Sequence, residues 1–407
     1  MSIEVYIDWQ GTVHLVGRLH TSSHGTAVAF EYDDAWLRRD KAFAIDPTLL
    51  PLQPGAHHAK ALFGAIQDCG PDRWGRLLIE RAVRKKVLEQ KPYREIDYVL
   101  ALEDASRIGA LRFRADPKGA FLAVTSGKLP PLVSLGALLR ATDAIHGETE
   151  TAQDLRFLLG AGSPLGGARP KAAVSLGDGQ LALAKFPKPD DMRDIGAGEI
   201  LALTLAGKAG IRVAEHRLVP VEDQSVAVIT RFDRAGANRI PFLSAASLLG
   251  LPSGDSGAYT QLADAIRQFG HDVPGDLREL WRRLVFSLLA SNYDDHLRNH
   301  GFLMHEAGRW SLSRAYDLNP VPEIDRARMN KTAITEDGEE PSIELALEAA
   351  PRFGLNSDEA KGILREVFDA VAGWRKTGRQ LHLKASTLNA YASAFEHPLM
   401  DEACRLR

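Results

Sequence analysis

The sequence predicts an α+β fold in which a mixed, strand-rich half precedes a helical half. Three observations carry this. Short β-branched and aromatic runs crowd residues 3–31 and return at 174–187 and 216–231. A Gly-rich stretch at 160–167 punctuates the chain shortly before the second set of strands. From Phe242 onward helical periodicity dominates, in segments at 243–249, 258–269, 274–291, 358–374 and 384–397.

Element by element, residues 3–9 (IEVYIDW), 13–19 and 26–31 read as strands of a small antiparallel meander, with Gly11 and residues 22–25 as turns. After Pro47 and Pro51 helices are expected at 58–67 and from Asp72 to Gln90, where Trp74, Leu77, Leu78 and Arg81 recur at helical spacing. A short helix near 94–102 and a strand near 108–114 close this portion, and the turn-rich DPKGAFLAVTSGKLPP at 116–131 reads as its boundary. A helix at 134–146, a hairpin at 174–187 around a Gly-Asp-Gly turn, a helix at 194–209 and strands at 216–220 and 225–231 follow. The expected division is an accessory portion at 1–130, a strand-rich lobe at 131–234 and a helical lobe at 235–407.

The chain has 407 residues, enough for two or three domains of ordinary size, about 100–200 residues each. With 50 Lys and Arg against 53 Asp and Glu the net charge is −3, so no whole-protein basic field is available to gather nucleic acid. Two cysteines, Cys69 and Cys404, give neither a disulfide framework nor a zinc site by themselves, and a reducing cytoplasm is the expected setting. The first residues carry no basic start followed by an apolar run, so no export signal is expected. No apolar run of about 18 residues occurs, so no membrane span is expected either.

Several residues point to chemistry. Four glycines lie within residues 160–167, ahead of Ala168-Arg169-Pro170-Lys171. Such a stretch can turn backbone N–H groups toward phosphate oxygens, or it can be a plain linker before a hairpin. The phosphate reading assigns Ser163, Gly166, Gly167, Ala168 and Lys171 to the nucleotide. Lys185 continues the apolar face of Leu181 and Leu183, where an ammonium needs an anion unless it reaches water at the strand end. Glu199 shares a helix face with Ala202, Leu203 and Ala206; it is either the partner of that lysine or an exposed first-turn acid. The densest polar cluster is Ser291-Asn292-Tyr293-Asp294-Asp295-His296-Leu297-Arg298-Asn299-His300, between a strongly apolar helix and the apolar strand GFLM. With Asp317 in AYDLNP it offers two carboxylates and an amide, a hard oxygen set suited to Mg²⁺. His296 and His300 are four apart, but Gly301 argues against one continuous helix and no third soft ligand stands nearby, so zinc is disfavoured. The overall order is Gly-rich loop, strand lysine, helix glutamate, the strand ending in ITRFDR, the Asp-to-Asn loop and a metal-type Asp. That is the order of a protein-kinase-like, two-lobed phosphoryl-transfer chain using ATP.

On the motifs VYIDWQGTVHLVGRL, GGARPKA, LAKFP, TRFDR, D-x-H-x-R-N and AYDLNPVP, the sequence resembles the HipA-like family, serine/threonine kinase toxins of bacterial type II toxin–antitoxin modules. The resemblance covers almost the whole chain. It implies that Asp294 is the catalytic base, that Asn299 and Asp317 hold Mg²⁺, and that Lys185 contacts the ATP phosphates. It places Thr230, Arg231 and Phe232 at the adenine hinge and has His296 and Arg298 brace the catalytic loop and its anionic substrate. It also implies a protein target, an aminoacyl-tRNA synthetase in better-known members, and a small HipB-like DNA-binding antitoxin that would connect the chain indirectly to operator DNA. One departure is visible: where relatives carry an autophosphorylated loop serine this chain has Pro164, with Ser163 displaced by one residue. Thr230 also stands where some relatives carry an acid. Two other readings compete with a toxin kinase: a catalytically silent partner-binding or co-repressor module, and a small-molecule kinase of the same fold.

Overall fold

Strand β1 (Ser2–Trp9) pairs antiparallel with β2 (Thr12–Thr21), and the alternation read from the sequence decides which side is buried. Ile3, Val5 and Ile7 are at most 1% exposed. In the computed structural model, which describes all residues except 1, 23–25, 123–128, 163–166, 178, 253, 326–329 and 339, these strands belong to a five-stranded sheet. Its other members are β3 (Val28–Tyr32), β4 (Ala56–Ala59) and β5 (Leu111–Arg114), in the order β4-β3-β2-β1-β5. The helix expected at 58–67 is corrected here. Its first residues pair as β4 with β3, Ala59 opposite Val28, and only Gly64–Gln67 is helical. The open edge of β3 supplies backbone partners that local periodicity does not reveal, and tertiary pairing overrides it.

The chain divides into two units that do not follow chain order: Met1–Asp190, Val219–Pro252 and Leu303–Gly308 form the first, and Asp191–Leu218, Ser253–Phe302 and Arg309–Arg407 the second. The stretch 131–234 is therefore shared between them.

A second sheet follows the order β6-β7-β9-β8, from β6 (Lys171–Gly177), β7 (Gln180–Lys185), β8 (His216–Val221) and β9 (Gln224–Thr230). The expected hairpin is β6 and β7, with Asp178 of its turn outside the described residues. Within the first unit three helices pack on this sheet. They are α1 (Arg73–Arg84), α2 (Leu135–His146) and α3 (Ala152–Ala161). Trp74 and Leu78 from α1, Leu138 and Ile145 from α2, and Leu155 and Leu158 from α3 share one core with Val174, Ala184, Phe186 and Val228 of the sheet segment. Helix α3 is not among the elements expected from the sequence. Its start is a capping box in which Thr151 accepts from the Asp154 N–H and Asp154 accepts from the Thr151 N–H.

In the second unit, α4 (Ile195–Lys208) is capped by Asp194 and buried almost all round, so closely that a side chain at Gly198 would collide with the Tyr391 ring. Helices α5 (Tyr259–Phe269) and α6 (Val273–Leu289) follow. Trp281 of α6 is fully buried, and its indole N–H donates to the Ala346 carbonyl at 3.0 Å. Arg283 of α6 sits in the same interior, paired with Glu279 at 2.7 Å and donating to the Ser313 carbonyl at 2.6 Å. The end of α6 delivers the chain into the polar loop at 291–300.

Candidate active site

The loop after α6 contains two adjacent carboxylates with opposite surroundings. Asp295 is 4% exposed and accepts from the Tyr259 hydroxyl and from the Ser287 hydroxyl at 3.2 Å, with His300 Nε2 3.0 Å from its other oxygen. Burial pushes its carboxyl up, but the His300 charge and the hydrogen bonds from His300 and Tyr259 outweigh that and hold it below the usual carboxylate range. Asp294 points the other way: its side chain is 55% exposed and ion-pairs with Lys331. A general base must be reachable by an acceptor, and only Asp294 is.

The loop is braced on every side that the described residues show. Asn292 accepts from the Asn319 N–H at 2.9 Å and donates its own N–H to the Ser287 carbonyl at 2.9 Å. The Tyr316 hydroxyl donates to the Arg298 carbonyl at 2.7 Å, and the Thr332 hydroxyl to the Asp295 carbonyl at 2.6 Å. Ser291 and Asp317 both hold left-handed backbone, φ +51° and +57°. Such conformations cost non-glycine residues energy and persist only where the surroundings impose them.

The expected metal ligands have suitable chemistry. Asn299 is 6% exposed and donates from Nδ2 to the Asp294 carbonyl at 3.1 Å, which orients the amide with Nδ2, not Oδ1, toward the backbone. Asp317 accepts from Asn319 Nδ2 at 3.1 Å. A carboxylate and an oriented amide oxygen are a donor pair that Mg²⁺ accepts. His296 is half-buried; its N–H donates to the Asp294 carbonyl at 2.9 Å, and its Nδ1 is buried without a hydrogen-bond partner among the described residues. Arg298 lies in the short 3₁₀ turn Leu297–Asn299. Glu199, on α4, is 2% exposed, which removes the reading of an exposed first-turn acid.

In the first unit the residues expected at the phosphates are placed as follows. Ser163 and Gly166 lie outside the described residues. Gly167 has φ +120°, and a Cβ there would stand 3.0 Å from the Lys171 ammonium. Ala168 is exposed. Lys171, expected at the nucleotide, is 2% exposed and ion-paired at 2.5 Å with Asp72, the residue that caps α1. A lysine this deep needs a counter-charge, and the structure gives it one. Lys185 is half-buried at the end of β7, directly opposite Lys171 on β6 and Ala227 on β9.

Thr230 ends β9 opposite Ala182, and the Phe232 ring lies 6.5 Å from that of Phe242. The Arg231 guanidinium, expected at the adenine hinge, is committed to structure. It donates to both oxygens of Asp233 at 2.8 and 2.6 Å and to the carbonyls of Ser106 and Arg107. Asp233 also accepts from the Gly109 N–H at 2.8 Å and pairs with Arg234 at 2.5 Å. Burial pushes the Asp233 carboxyl up; the two arginines overcome this and hold it well below the usual range. Sequence reasoning assigned no role to Asp72, Asp295 or Lys331; only the fold brings Asp72 to Lys171 and Lys331 to Asp294.

The HipA N-terminal domain model matches residues 7–114, and the HipA-like C-terminal domain model matches residues 163–374, more than half of the chain. The chain belongs to the HipA-like family. It shares its fold with HipA of Shewanella oneidensis, solved with HipB and operator DNA, at a TM-score of 0.72 and 17% identity over 99% of this chain and 97% of that one. Two curated relatives are a presumed kinase of Haemophilus influenzae, 28% identical over 156 residues, and a presumed kinase of Sinorhizobium fredii, 28% identical over 166 residues. These alignments span 34% and 37% of this HipA-like chain, which covers only 46% and 40% of the two relatives. No helix among the described residues is long and apolar enough to cross a membrane.

Proposed function

We propose that this chain is an ATP-dependent serine/threonine protein kinase acting as the toxin of a cytoplasmic toxin–antitoxin module. The observation that carries the reading is the pair of neighbouring carboxylates: Asp295 anchors the loop in the core, and Asp294 stands exposed beside an oriented Asn299. Asp294 accepts the proton of the acceptor hydroxyl; the hydroxyl oxygen bonds to the γ-phosphorus as the bond to the β-phosphate oxygen breaks, and ADP leaves. Lys185 and the loop containing Ser163, Gly166, Gly167 and Ala168 serve the phosphates, and the Thr230–Phe232 backbone serves the adenine. Lys171, held by Asp72, stands beside Gly167. Asn299 and Asp317 would hold Mg²⁺, which supplies charge neutralisation at the phosphates. His296 and Arg298 shape the loop and its anionic surroundings, and Glu199 supplies a buried counter-charge.

Membership of the family, together with the HipB and operator DNA bound to the Shewanella relative, supports a HipB-like partner here and operator DNA reached through it. The target is a protein hydroxyl, of which an aminoacyl-tRNA synthetase is the first to test. Incubation with γ-labelled ATP, Mg²⁺ and a bacterial lysate tests the activity. Label is expected on a protein band with the wild-type chain and is expected to fall about 10²- to 10⁴-fold with Asp294→Asn, the range for removing a general base. Calorimetric Mg·ATP affinity is expected to persist in that variant. Equal labelling by both proteins would refute the assignment.

A further inference from the structure

Lys331 is far from the catalytic loop in sequence, and its neighbourhood is nevertheless fixed to that loop at three points. Its N–H donates to the Tyr293 carbonyl at 3.3 Å, the next residue's hydroxyl, Thr332 Oγ1, donates to the Asp295 carbonyl at 2.6 Å, and its ammonium ion-pairs with Asp294 Oδ1. Thr332 and Ala333 are themselves held by parallel pairing with Gly257 and Ala258, the residues that lead into α5. Lys331 and Thr332 thus bind the carbonyls of the residues before and after Asp294, and the lysine side chain meets the one carboxylate of the loop that faces solvent. Exposed ion pairs contribute little to stability, because water screens the attraction and two long side chains lose freedom. Here the side chains are 57% and 55% exposed. Stability therefore does not account for the Lys331–Asp294 pair itself, which the two hydrogen bonds hold in place. Orientation does: an aspartate carboxylate turns about two side-chain torsions and needs a second contact if one oxygen is to be presented in a fixed direction, and displacements of about 1 Å at a reacting group can cost on the order of 10²-fold in rate.

We infer that Lys331 is a positioning residue that holds the Asp294 carboxylate in the orientation from which it takes the acceptor proton; the inference rests on the kinase reading above. Lys331 acts through Asp294 and leaves nucleotide binding to other groups. Its removal lowers kcat without weakening Mg·ATP.

The test uses the full chain with Mg·ATP and the labelled protein acceptor, comparing wild type, Lys331→Met, Lys331→Gln, Lys331→Arg and Asp294→Asn. For both Met and Gln, kcat is expected to fall about 10- to 100-fold, with the KM for ATP, the calorimetric Mg·ATP affinity and the thermal midpoint unchanged. Lys331→Arg, which keeps the cation and its donors, is expected to restore most of kcat. Wild-type kcat in both Met and Gln overturns the inference and leaves the kinase reading standing. A rise in KM with kcat preserved also overturns it, since that is a binding role. Absence of transfer by the wild-type chain overturns both.

Discussion

Residues 230–239 and the loop 291–300 are both rich in ionisable side chains, and they use them in opposite ways. In the first, Arg231, Asp233 and Arg234 are buried and satisfied by one another and by carbonyls of residues 105–109. Arg239 continues the lattice to Asp104, which Arg107 and Arg112 also hold. In the second, one carboxylate is locked in the core and its neighbour is left at the surface. Charge density alone therefore does not mark chemistry. What sets Asp294 apart is that the buried network of its neighbour Asp295 is complete without it.

The contrast can be broken most forcefully at Asp233. Asp233→Ala leaves two buried guanidinium groups without their carboxylate and is expected to destabilise the chain by about 3–5 kcal/mol. Asp295→Ala, which strips Tyr259, Ser287 and His300 of their shared acceptor, is expected to be comparably costly. Urea unfolding measures both, and a loss below about 1 kcal/mol at either site would show that the buried network is dispensable.

A smaller effect comes from pH. The Asp233 and Asp104 carboxyls are held below their ordinary value of 3.8 by neighbouring arginines, against the opposing effect of burial. Groups of this kind stabilise the fold fully above the unfolded value; as pH falls beneath 3.8 the unfolded chain takes up protons first, and the contribution is lost on the way down through the depressed folded values. Acid unfolding followed from about pH 5 to about pH 2 is expected to steepen below about pH 4 in the wild type. Asp233→Asn is expected to flatten that limb, and identical limbs would contradict the lattice's charge-based stabilisation.

Smaller again is Arg231→Lys, which keeps the charge and loses the two-pronged grip on Asp233. Its expected cost is about 1–2 kcal/mol, read in the same urea titration. The smallest is Asp294→Asn, which removes only an exposed ion pair and is expected to change stability by no more than about 1 kcal/mol. A larger loss would place Asp294 in the same structural class as Asp233 and end the contrast.

Much of the fold is legible in the sequence where one element has one environment. The alternation in IEVYIDW locates β1, and the apolar periodicity before Ser291 locates α6. The segment 58–67 is not legible, because its fate depends on the free edge of β3. Helix α3 does carry a signal of its own, the Thr151–Asp154 box followed by Leu155, Leu158 and Leu159 on one face and Gly162 at its end. At the site, residue types mark 291–300 and Asp317 as a hard oxygen set and the family motif singles out Asp294, while the opposite surroundings of Asp294 and Asp295 are not legible. Two adjacent aspartates are chemically identical until packing buries one. Lys171 and Arg231 likewise read as ligand-facing, because their counter-charges, Asp72 and Asp233, become partners only in the folded chain.

The capping of α1 by Asp72 has a consequence for how such a chain can be cut and joined. The same carboxylate that starts the helix holds Lys171, the Trp74 indole donates to the Lys171 carbonyl at 3.1 Å, and α1 forms part of the core beneath β6, β7 and β9. The stretches at 7–114 and 163–374 are recognised separately as families, yet this seam makes them poor interchangeable parts. A fusion or truncation that separates residues 72–84 from 171–228 would strand Lys171 without its carboxylate and bare the sheet face that Trp74 covers.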